Sequence, residues 1–128
     1  VGPFFLSLAE VLQLHADQIK RYGGSSGTRD LGLLESAVAM PQSGSGDTYF
    51  HNDLFEMAAA YLFHIIRNHP FVDGNKRVGV AAALVFLKLN DIDIKVTNSV
   101  IVKVALAVAQ GEMGKAAITE FFLKNAKR

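Results

Sequence analysis

The sequence predicts an all-α domain, a compact bundle of about six helices around a buried central helix. Three observations carry this. The run from Leu54 to Arg67 is apolar on nearly every side, as only a helix surrounded by other elements can be. Segments with apolar residues at helical spacing lie before and after it, and the one stretch with extended character, Ile92 to Val96, is short. Finally, 128 residues, 50% of them apolar and 20% charged, suffice for one core and leave no material for a second, so residues 1–128 read as a single domain.

The elements follow in order. Ser7-Leu8-Ala9-Glu10 has the form of a capping box, and Leu8, Val11, Leu12, Ile19 and Tyr22 make the helix it starts amphipathic until Gly23-Gly24 stop it. Ser25 to Thr28 reads as a flexible loop. Asp30 caps a second helix carrying Leu33, Leu34, Ala37 and Val38, which Pro41 ends. Gln42 to Asn52, rich in Gly and Ser but holding Tyr49 and Phe50, reads as a mobile surface loop. Asp53 and Glu56 cap the central helix, which ends near Asn68, and Val78 to Leu89 is again helical. Helices near Ser99 to Ala109 and Lys115 to Ala126 complete the chain.

The connection His69-Pro70-Phe71-Val72-Asp73-Gly74-Asn75-Lys76-Arg77 holds the chemistry. Pro70 disfavours helical geometry at His69 and so presents the imidazole at the rim of the connection, where it can take a proton from an attacking hydroxyl. Asp73 can hold a divalent cation, and its bland alternative is a helix N-cap. The second half of the motif is a helix N-terminus, with free N–H groups and about half a positive charge from the peptide dipoles, which suits phosphate. Gly74 lets a ligand approach the backbone, Asn75 can donate to phosphate oxygens, and Arg77 can pair with a phosphate in bidentate fashion. Lys76 and Arg77 stand where cations oppose the helix dipole unless an anion is bound. Phe71 is the anchor of the loop. His15, His51 and His64 lack partners at metal-ligand spacing and read as structural, and Arg67 fits either a phosphate contact or a helix C-terminal cap.

This segment resembles the signature of the Fic/Doc superfamily, His-x-Phe-x-Asp-(Gly or Ala)-Asn-x-Arg. Arg21-Tyr22-Gly23-Gly24, Leu33 to Ala37, Asp53 to Glu56 and Phe86 to Asn90 resemble its death-on-curing branch, so the likeness spans roughly residues 8–95. The resemblance implies a catalytic base at His69, magnesium at Asp73, and ATP phosphates bound by Gly74, Asn75, Lys76 and Arg77. It also implies a transferase with Mg2+ as cofactor and ATP as co-substrate. Most adenylylating members have glycine between Asn and Arg, whereas Doc-like toxins with lysine there bind the nucleotide reversed and act as kinases. Lys76 therefore implies a toxin that phosphorylates a Ser or Thr hydroxyl of a translation protein, with elongation factor Tu the implied target; adenylylation is the alternative. No Ser/Thr-x-x-x-Glu-Gly/Asn inhibitory pattern occurs in these residues, so inhibition is expected in trans, from a Phd-like antitoxin.

A third alternative is a catalytically idle helical scaffold or nucleic-acid-binding domain. The balance of 13 cations and 12 anions gives no electrostatic case for nucleic acid or an anionic membrane. Zero cysteines exclude disulfides and thiolate metal sites. The apolar runs are too short to span a bilayer and no signal-peptide pattern is visible, so a cytoplasmic protein is expected.

Overall fold

Among the described residues six helices form, as expected, and the third is their hub. The computed structural model describes residues 2–127. The order is α1 (Leu8–Tyr22), α2 (Leu31–Ala39), a 3-10 turn (Met40–Gln42), strands β1 (Gly44–Ser45) and β2 (Thr48–Tyr49), α3 (Leu54–Asn68), α4 (Asn75–Leu89), β3 (Asp93–Ile94), α5 (Asn98–Ala109), α6 (Lys115–Asn125) and β4 (Ala126–Lys127).

Local chemistry sets the helix starts. Ser7 accepts the Glu10 N–H at 3.1 Å while Glu10 accepts the Ser7 N–H at 2.8 Å, which completes the capping box of α1. Asp30 accepts from Leu33 N–H and Asp53 from Glu56 N–H, both at 2.9 Å, so α2 and α3 begin as their sequences say. Thr97 does the same for α5 through the Val100 N–H.

Helix α3 packs against α2, α4, α5 and α6. It buries Phe55, Met57 to Leu62, Ile65 and Ile66, which explains why its sequence lacks a polar face. Helix α4 packs tightly on it at Gly79: a Cβ there would sit 2.9 Å from Ile66 Cγ1 and 3.3 Å from the Leu62 carbonyl. Since α3 ends at the motif and α4 begins within it, this tight pair fixes both ends of the connection.

Three expectations change. Ser25 to Thr28 is not a free loop: Thr28 bridges Phe71, Val72 N–H donates to Gly27 O at 3.0 Å, and the N–H groups of Arg29 and Asp30 converge on Pro70 O at 2.7 and 2.9 Å. Within Gln42 to Asn52, β1 and β2 pair as an antiparallel hairpin. The last helix stops at Asn125, because Ala126 and Lys127 pair with Ile94 and Asp93. Among the described residues no helix is long and apolar enough to cross a membrane.

Candidate active site

His69 closes α3 in the left-handed conformation (φ 49°, ψ 53°). Pro70 bars the right-handed helix at this position, and the left-handed one costs a non-glycine residue about 1 kcal/mol, so something must hold it. Arg29 does: its guanidinium donates from Nε to His69 O at 2.7 Å and from Nη2 to Asn68 O at 3.1 Å. These bonds satisfy carbonyls that the helix end leaves free. The side chain of His69 remains exposed.

Asn75, by contrast, is buried with both polar atoms of its side chain engaged. Its Oδ1 accepts the Phe71 N–H at 2.9 Å, and its Nδ2 donates to Phe71 O at 3.0 Å and faces His69 Nδ1 at 3.0 Å. The Phe71 peptide groups fix which way the amide points, so the Asn75 N–H donates to Nδ1 and the neutral imidazole carries its proton on Nε2. The side chain of Asn75 thus sets the plane and tautomer of His69, and what it leaves for an anion is its backbone N–H. A base role for His69 includes release of the Asn75 bond, because the neutral ring has its lone pair there.

Gly74, at φ 79°, is the N-cap of α4, and no side chain caps this end. Asp73 lies one residue outside the helix and its carboxylate turns back: Oδ2 accepts Ser25 N–H at 3.0 Å and Oδ1 accepts Gly74 N–H at 2.8 Å. Those two N–H donors hold its carboxyl below the usual range, with burial opposing and Arg77 adding to the effect, so it is ionised at neutral pH. Among the described residues no three His, Cys, Asp or Glu side chains form a metal cage. One ionised, exposed carboxylate with free lone pairs is instead the donor set that fits magnesium arriving with phosphate and water.

Arg77 spans from α4 to the end of α1, donating to Gly23 O at 2.9 Å and to Gln18 O at 3.5 Å, with guanidinium N–H groups to spare. Lys76 is exposed beside it. Both cations border a largely apolar groove of about 550 Å³ between α1, α4 and α5, lined also by Tyr22, Val80, Leu84 and Val102. Gly24 lies against Asp73 and Arg77: a Cβ there would lie 2.6 Å from Asp73 Oδ2 and 3.1 Å from Arg77 Nη2.

Four side chains read as structural or ambiguous are now placed. His15, on α1, is buried, stacks flat on Phe71 (centroids 3.8 Å, planes 4° apart) and donates from Nε2 to Asp73 O at 2.8 Å. Phe71 is itself fully buried, as an anchor must be. Arg67 turns away from the motif to carbonyls of Val108 and Ala109 at the end of α5. His64 accepts from Lys115 Nζ at 3.2 Å, and His51 shares a cavity of about 470 Å³ with Glu56, Lys115 and Thr119. Arg29, His15 and Gly24 are the site residues that sequence reasoning missed. Only the pairing of their segments with the motif, invisible in local patterns, identifies them.

The helical domain thus brings together an ionised carboxylate, an uncapped helix N-terminus and a histidine held by an asparagine. The profile of the Fic/DOC family matches residues 5–87, well over half of the chain and including the whole motif. The chain belongs to the Fic/Doc family. It is 31% identical over 115 residues to the protein named "Protein kinase doc" of Escherichia phage P1, a match covering 90% of each chain. It is 44% identical over 73 residues to "Toxin Doc" of Mycolicibacterium smegmatis, covering 57% of this chain and 56% of that one. The chain thus spans little more than half of the latter relative's length.

Proposed function

We propose that this chain is a Doc-like toxin that transfers the γ-phosphate of MgATP to a Ser or Thr hydroxyl of a translation protein, elongation factor Tu being the expected target. The observation that carries the kinase reading is Lys76. Its exposed side chain stands in the first turn of α4, next to Arg77, where an adenylylating pose would need room for the β and γ phosphates. The name and 90% coverage of the phage P1 relative support the same reading.

In this reading the backbone N–H groups at the start of α4 and the Arg77 guanidinium bind the phosphates and stabilise the charge of the transferring group. Asp73 would hold magnesium, which supplies neutralisation of phosphate charge. His69, released from Asn75, accepts the proton of the target hydroxyl as its oxygen bonds to the γ phosphorus and the bond to ADP breaks. The apolar groove beside Arg77 supports inhibition in trans, since an amphipathic antitoxin helix laid in it would reach the phosphate site.

Incubation of the protein with elongation factor Tu or cell lysate and ATP labelled at the γ or the α position, followed by mass analysis, tests the direction. Transfer of the γ label alone is expected. A target that gains a whole AMP would establish adenylylation, the alternative that keeps every site residue and reverses the nucleotide.

A further inference from the structure

We propose that His15 is a positioning residue: it selects the orientation of the Asp73–Gly74 peptide that turns an N–H, and not a carbonyl, toward the Asp73 carboxylate and the start of α4. The inference rests on the phosphate reading of the site and adds to it a residue 58 positions away in sequence, on another helix.

In a trans peptide the carbonyl oxygen and the following N–H point in opposite directions. The Asp73 oxygen points into the protein, where His15 Nε2–H donates to it at 2.8 Å. The Gly74 N–H therefore points the other way, to Asp73 Oδ1 at 2.8 Å, on the side where the carboxylate and the start of α4 lie. Rotating this peptide by half a turn would aim the oxygen at a bound anion. It would also remove the N–H that holds the Asp73 carboxylate. Glycine at 74 makes such a flip cheap, because glycine accepts φ of either sign. The choice between the two orientations must come from outside the peptide, and His15 is the side chain that bonds the Asp73 carbonyl.

His15 is well built for this. It is 5% exposed, and its ring lies flat on Phe71, whose own peptide groups are held by Asn75. The imidazole is thus clamped between α1 and the loop anchor, with its Nε2 aimed at one carbonyl. The stack accounts for an aromatic ring at position 15; only the bond to Asp73 accounts for a donor at its edge.

Two variants separate these roles. His15→Phe keeps the stack and loses the donor, while His15→Gln loses the stack but carries an N–H the same number of bonds from Cβ. The readouts are the Gly74 amide resonance of the free, nitrogen-labelled protein and calorimetric binding of ADP with magnesium. With phenylalanine, the Gly74 signal is expected to move or broaden and ADP affinity to fall about tenfold or more, as loss of a supporting partner does at metal sites; glutamine should restore most of both. An unchanged Gly74 signal and affinity in the phenylalanine variant, or a glutamine variant as impaired as it, would overturn the proposal. If phenylalanine prevents folding, the glutamine variant alone decides, since a packing role predicts no rescue. Failure of the wild-type protein to bind ADP with magnesium would remove the phosphate reading, yet the Gly74 comparison would still report on the peptide.

Discussion

His69 and Asn75 are bonded to each other, but one side chain faces solvent and the other faces the loop, so their substitutions should fail differently. Replacing exposed His69 with alanine removes the proposed base, and turnover should fall roughly 100-fold or more with nucleotide binding and stability nearly unchanged. Replacing Asn75 with alanine leaves the buried Phe71 N–H and C=O without their side-chain partner. Urea unfolding should then show a loss of about 1–3 kcal/mol, the usual cost of an unsatisfied buried polar group. Equal stability of the two variants would mean that water or backbone replaces Asn75. Asp73→Ala should shift the magnesium dependence of turnover without such a loss, because that side chain is exposed. The place of the motif, between the end of α3 and the start of α4, was legible in the sequence because Pro70 and Gly74 interrupt two apolar helical runs. The supporting bonds were not: Arg29 meets His69 across 40 positions and His15 meets Asp73 across 58, distances over which no periodicity or capping rule speaks.

The element that gives the site its second wall is the segment from Gly24 to Asp30, which runs against the motif from Asp73 back to His69. Gly24 marks its most crowded point. Its φ of 114° is strained for any other residue, and a Cβ would press on both Asp73 and Arg77. Gly24→Ala should therefore weaken binding of ADP with magnesium more than it weakens the fold, measured by calorimetry beside urea unfolding. Undiminished affinity would show that the two charged side chains do not bind the nucleotide together. Helix starts were readable because a cap and its partner lie three residues apart. This segment looked like a loop because its ladder partners lie some 40 residues away, and β4 looked like helix because its partner, β3, belongs to another part of the chain. Glycine and serine mark turns well, but they do not say what the turn is laid against.

On the scale of the whole molecule, α3 ties the site to a polar cluster on α6 that sets how stability should depend on pH. Burial, then the charge of Lys115, then His51 push His64 down from 6.5 to about 4. His51 is lowered in the same direction, first by burial and then by Lys115, with Glu56 and the Pro41 backbone opposing. The folded protein thus keeps His64 neutral, as an acceptor for Lys115 at 3.2 Å, in a range where the unfolded chain would protonate it. Wherever the unfolded state binds more protons, stability rises with pH. The contribution of His64 is therefore complete above pH 6.5 and is lost progressively as pH falls toward 4. Asp73 does not interfere in this window, because a carboxyl held below its ordinary 3.8 changes stability only at lower pH. Urea unfolding at a series of pH values should show a protein distinctly less stable at pH 5 than at pH 7.5. His64→Gln keeps a carbonyl that can accept from Lys115 and has no proton to gain, so its profile should be flatter over the same range. A variant with the wild-type slope would mean that His64 is solvated in the folded protein and that the Lys115 contact leaves its protonation unaffected.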